Sequence, residues 1–177
     1  MPPPDRPRSG NTETIQAIAT RLADPMFGTG PLATLRRLDP SGALAVPALQ
    51  RLLARHVAEQ EPDWLRVWSL LIHCMAIAAP DQHRGRDTLG TALFQAGYSE
   101  GRLTRLLVAG RREMPVVAPR LVRFLVSRGQ ALDAAGLWRL MRPVLLDRPD
   151  DAKWAEEART RIAGDYYRAE AAVTRAA

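Results

Sequence analysis

One cysteine, three histidines and one lysine stand among 177 residues, and each shortage closes a route. A lone Cys74 excludes an internal disulfide framework and fits a reducing cytoplasm. His56, His73 and His83 are scattered, and neither CxxC nor HExxH occurs, so no metal or other cofactor is expected. His83 lies in the polar stretch "PDQHRGRD", where a solvated imidazole has no partner to make it a general base. Phosphate-cradling GxxxxGK[ST] and nucleophile-bearing GxSxG are missing as well. Asp150–Asp151 and Glu156–Glu157 are successive residues of a helical pattern and point apart, a poor acid/base or metal pair. These absences argue against an enzyme. The longest apolar run, "VWSLLIHCMAIAA", falls short of the ~20 residues of a membrane span. The opening "MPPPDRPRSG" has no apolar core and is not a signal peptide, so residues 1–10 are expected to form a disordered lead-in.

Strand alternation is also lacking, whereas apolar residues recur at helical spacing throughout. The expected fold is all-α, with roughly eight or nine short helices in one domain or in two small lobes, residues 11–98 and 99–177. Ile15, Ile18, Ala19 and Leu22 mark the first helix, and Leu32, Leu35 and Leu38 a short second one ended by Pro40 and Gly42. Pro47 opens a third helix over residues 46–60. "EPDWLRVWSLLIHCMAIAAP" is apolar on nearly every side, reads as the central helix, and makes Cys74 a core residue. "TLGTALFQAG" closes at Gly97, and Ser99 caps the next helix. Further helices are expected after Pro119, from an Asp133 cap with Pro143 bending or breaking it, and from about residue 150 onward. Met26, Phe27 and Met141 fall outside the apolar stripes, as docking residues would.

Positive charge is the surplus. Of 25 basic residues 24 are arginine, and their excess is local: residues 99–148 hold ten arginines against four acidic residues, while the flanking segments nearly balance. Arg102, Arg105 and Arg112 fall together at helical spacing from Ser99, with Leu103, Leu106 and Leu107 on another side, and an early stop at Gly110 would put Arg112 in the loop "GRREMP" instead. Arg120 and Arg123 repeat the arrangement, facing away from Leu121, Phe124 and Leu125, which are expected to point inward, and Arg111 lies in the intervening "GRR". A single helix of this kind is an ordinary solvated face. Two with the same spacing, joined by a basic loop, suit a phosphate backbone, which asks for repeated charge along a surface. No set of Asn, Gln and Arg resembles a base-reading helix.

"RDTLGTALFQAGYSEGRLTRLLVAG" resembles the core of the CasB family, the small subunit of the type I-E CRISPR surveillance complex Cascade. The matching residues are Thr88, Leu89, Gly90, Ala92 and Leu93, then Ser99, Glu100, Arg102, Leu103, Leu106 and Leu107. "GPLATLRRL", "WSLLIHCMAI", "LVRFLVSRGQALDAAGLWRLM" and "RIAGDYY" follow the family in order, covering about residues 15–170. One departure is Ala134, where the family usually has an aromatic after the aspartate. The resemblance implies an all-α, non-catalytic subunit for antiviral defence, present as a pair of copies among the other Cascade subunits. It also implies basic residues that support the guide RNA–target DNA hybrid and the displaced DNA strand (the R-loop). By position it adds Arg36 and Arg37 and includes Arg102, with Arg112, Arg120 and Arg123 corresponding more loosely. Two rivals make different demands. A helical transcription regulator would prefer one duplex sequence, and a pure docking adaptor would bind no nucleic acid even at low ionic strength.

Overall fold

A computed structural model describes residues 9–39, 42, 44–59, 61–80 and 87–176. Most of the expected lead-in (residues 1–8), Pro40 and the loop with His83 lie outside the described residues. Among those described are nine α-helices, one short 3-10 turn and no strand: an all-α fold. In chain order the helices are α1 Ser9–Ala23, α2 Thr29–Arg36, α3 Pro47–His56, α4 Pro62–Ala78 and α5 Leu89–Gln95. Then follow α6 Glu100–Val108, α7 Met114–Ser127, α8 Ala134–Leu146 and α9 Asp151–Ala176.

α4 is the axis. Val67, Trp68 and every residue from Leu70 to Ala76 are buried, which leaves this helix no wet face over two turns. A helix apolar all round must be surrounded, and α1, α2, α3, α7 and α8 pack on it. The buried apolar side chains of both halves of the chain join in one cluster. Trp138 of α8 anchors it, with its ring 4.1 Å from that of Trp68 and 6.1 Å from that of Trp64. Met141 is fully buried here, so it is a core residue and not the docking residue expected. Met26, at 84% exposed, does stand free of the core.

α9 covers α5 and α8. Asp151, Ala155, Ala158, Ile162 and Tyr166 form its buried stripe, and no side chain beyond Tyr166 is buried. Gly90 is what lets α5 and α9 touch. A Cβ built there would lie 2.2 Å from the Ile162 carbonyl oxygen and 2.9 Å from the Tyr166 nitrogen. Asp133 ties α8 to α5 as well as capping it. Its Oδ1 accepts from the Gly136 N–H at 2.8 Å and its Oδ2 from the Leu89 N–H at 3.1 Å.

Local rules account for most helix ends. Gly97 (φ 75°) and Gly129 (φ 70°) take left-handed backbone where α5 and α7 stop. Three expectations needed correction. α7 starts at Met114, not after Pro119: Pro115 sits in the first turn, and buried Pro119 lies inside the helix, giving up only one backbone bond. Pro143 does not break α8, which runs through it as far as Leu146. Ser99 is the N-cap residue of α6, but only its carbonyl takes part, accepting from the Arg102 and Leu103 N–H groups.

Candidate nucleic-acid interface

The basic segment folds into α6, a tight turn and α7. On α6, Leu103 and Leu106 are buried, which leaves Arg102 and Arg105 in water. On α7, Leu121, Val122 and Leu125 are buried, while Arg120 and Arg123 are exposed. Phe124 is the junction of the two helices. The Arg102 guanidinium reaches across from α6 to lie 5.3 Å from its ring centre, and Arg128, just past α7, lies 5.5 Å from the same centre. Tyr98 meets Phe124 edge-on at 5.2 Å. Arg120, Phe124 and Arg128 are spaced i, i+4 and i+8, so one stripe of α7 and its C-cap carries two arginines and receives a third from α6. Burial raises the Tyr98 pKa, and the positive charges of Arg102 and then Arg105 oppose the rise, so both cations stand near this ring.

The eight arginines singled out from sequence divide into three groups. Arg37, Arg105, Arg112, Arg120 and Arg123 are exposed and have no carboxylate partner among the described residues. Arg102 is exposed and rests on Phe124. The other two are engaged. Arg111 reaches Asp63 of α4 at 3.5 Å with both side chains half in water, a pair of little strength. Arg36 closes the end of α4: its Nε donates to the Ala76 carbonyl at 2.9 Å and a terminal nitrogen to the Ala79 carbonyl at 2.7 Å. Carbonyls at a helix C-terminus lack partners inside the helix and attract a cation, so Arg36 serves the fold first. Glu113, beside the "GRR" turn, accepts the Gly110 N–H through its Oε2 at 3.0 Å and forms no ion pair with an arginine among the described residues.

Two further arginines of the segment serve packing. Arg142 pairs with Asp151 at 3.3 Å, both side chains nearly out of water. Arg148 holds Glu61 at 3.0 Å and lies over Trp64. The excess charge is therefore divided between struts and a free surface. Sequence reasoning missed Arg128, although its i+4 step from Phe124 was a readable signal.

His73 of α4 is buried and bonded to the backbone of α2. Its Nδ1 lies 2.8 Å from the Leu35 carbonyl oxygen. A carbonyl only accepts, so Nδ1 carries the proton and donates. Burial lowers the pKa of His73; the bond to Leu35 opposes this, the Arg123 charge adds to it, and Asp39 works against it. α2 and α7 thus flank the same buried imidazole on α4. With the folded pKa below the ordinary 6.5, the unfolded chain takes the proton first. Stability is whole above about pH 6.5 and falls as acid is added below it. His56, lowered by burial and by Arg55 and Arg21, acts in the same direction. The urea midpoint is expected to drop between pH 7 and pH 5. His73→Asn, which keeps a donor but does not titrate, should remove part of that drop; an undiminished drop in the variant assigns it to other groups.

Burial pushes the Cys74 thiol pKa far up, in keeping with its expected place in the core. Among the described residues no three His, Cys, Asp or Glu side chains gather as metal ligands, and no helix is long and apolar enough to cross a membrane.

A family model described as CRISPR-associated protein Cse2 matches residues 31–167, from within α2 to within α9. No curated protein and no solved structure matches the chain significantly. The matched span contains α4, Gly90 and every arginine of the α6–α7 surface, and the chain belongs to the Cse2 family, a structural subunit of the CRISPR Cascade complex.

Proposed function

We propose that this chain is a non-catalytic, cytoplasmic nucleic-acid-binding subunit. It lies along the guide RNA–target DNA hybrid and the displaced strand, in a pair with a second copy of itself. The observation that carries this reading is the convergence on Phe124. Arg102 from α6 and Arg128 from the end of α7 share one ring, with Arg105, Arg120 and Arg123 exposed on the same two helices. Arg105, Arg120 and Arg123 have no carboxylate partner among the described residues, so a phosphate meets them without breaking an internal ion pair.

The chemistry is charge neutralisation. Base pairing supplies sequence discrimination, and exchanging a DNA duplex for an RNA–DNA hybrid is nearly balanced, so a few backbone contacts tip it. Each phosphate neutralised on a single strand adds roughly 0.7 to the log–log salt slope. The wild-type chain, titrated with a mixed-sequence single-stranded DNA, is expected to show a slope of about −3 to −4, corresponding to four to six contacts. The slope should not depend on sequence. A flat salt dependence, or strong preference for one duplex, defeats this function.

A further inference from the structure

A cleft of about 210 Å³ opens where the start of α5, one face of α8 and the middle of α9 meet. Leu89, Trp138 and Ile162, all buried, supply its apolar surface, and half-buried Trp154 lines it from α9. It is separate from the α6–α7 surface, sharing no residue with it. A cavity of roughly 150 Å³ lined by aliphatic and aromatic groups accepts benzene, so the volume here suits one substituted ring.

The charges lining this cleft are nearly all committed. Asp133 spends both carboxylate oxygens on the Gly136 and Leu89 N–H groups. Asp165 bonds to Arg168 and Arg142 pairs with Asp151, while Glu157 faces Arg161 at 4.0 Å in a half-exposed pair of little strength. That leaves Arg139, exposed on α8, lining the cleft and without a carboxylate partner among the described residues. A small-molecule site is characteristically an apolar concavity with a few placed polar groups, and here one group is a cation without a counter-charge.

We infer that this cleft binds a small aromatic monoanion, a single ring bearing one carboxylate. The ring lies against the apolar residues beside Trp154, and the carboxylate pairs with the Arg139 guanidinium. A second negative charge is disfavoured, because Asp133, Glu157 and Asp165 line the same cleft; this sets the ligand class apart from phosphates and nucleotides. The inference does not rest on the nucleic-acid role.

Calorimetry on the full chain with three ligands of one shape tests it: phenylacetate, neutral 2-phenylethanol and cationic phenethylammonium. Phenylacetate is expected to bind with a Kd of about 1 mM or tighter at low salt, and the other two at least about tenfold more weakly. Arg139→Gln should bring phenylacetate down to the affinity of 2-phenylethanol without lowering the melting temperature. Trp154→Ala should weaken both phenylacetate and 2-phenylethanol. No binding up to about 10 mM, equal affinity for the three ligands, or phenylacetate binding untouched by Arg139→Gln overturns the assignment.

Discussion

Replacing Arg102, Arg105, Arg120 and Arg123 together by glutamine should cost single-stranded DNA binding about 10²–10³-fold in 0.1 M salt. The magnitude follows from counterion release. A contact contributing about 0.7 to the salt slope is worth about 0.7 log unit between 1 M and 0.1 M salt, and four such contacts sum to nearly three. The slope itself should flatten by about 2.8. Stability should fall by no more than about 1 kcal/mol, because all four side chains are exposed, none forms an ion pair among the described residues, and only Arg102 gives up a contact, the one on Phe124. Arg36→Gln should behave in the opposite way. It withdraws two hydrogen bonds from the end of α4, costing about 1–3 kcal/mol of stability, and should change binding much less. Arg111→Gln gives up an exposed pair worth about 0–1 kcal/mol. Electrophoretic mobility shifts over a salt series, with urea unfolding of the same samples, separate these outcomes. Binding that survives the fourfold change would remove α6 and α7 from the interface.

Gly90→Ala should be strongly destabilising. The added carbon would come 2.2 Å from a backbone oxygen of α9 and 2.8 Å from the Asp165 Cβ, so no side-chain rotation relieves it. One helix must move off the other, which disturbs Tyr166 and the Asp133–Leu89 tie. Overpacking a well-filled contact costs about 1–3 kcal/mol, and a backbone clash belongs at the upper end or beyond. Gly101→Ala is the matched control: it lies in α6 with nothing within 4 Å of the new carbon, and helix propensity favours alanine by about 0.5–1 kcal/mol. Thermal melts should shift in opposite directions for the two variants. A Gly90→Ala protein as stable as the wild type would mean that α5 and α9 sit farther apart than described.

Much of this architecture was readable from local pattern. The stripe from Ile15 to Leu22, the predominantly apolar α4, the Gly97 stop and the Asp133 cap all obey rules spanning a few residues. What escaped depends on distant neighbours. Arg36 and Arg37 are adjacent and look alike in sequence; a helix end 40 residues away engages one and leaves the other in water. Met141 stood outside an expected stripe because its helix was judged without the α4 surface it packs against. Pro119 suggested a helix start, but packing holds a proline inside α7 against its own preference. The candidate surface was half legible. Charge spacing nominated Arg102, Arg105, Arg120 and Arg123, whereas Phe124, the ring that Arg102 shares with Arg128, became visible only once α6 lay against α7.

The 26 residues of α9 make a rod about 39 Å long, and its last ten residues extend past Tyr166, the final side chain set into the core. The Tyr166 hydroxyl donates to the Tyr98 carbonyl at 2.6 Å, immediately before the turn into α6. The overhang therefore begins beside the helix that carries Arg102.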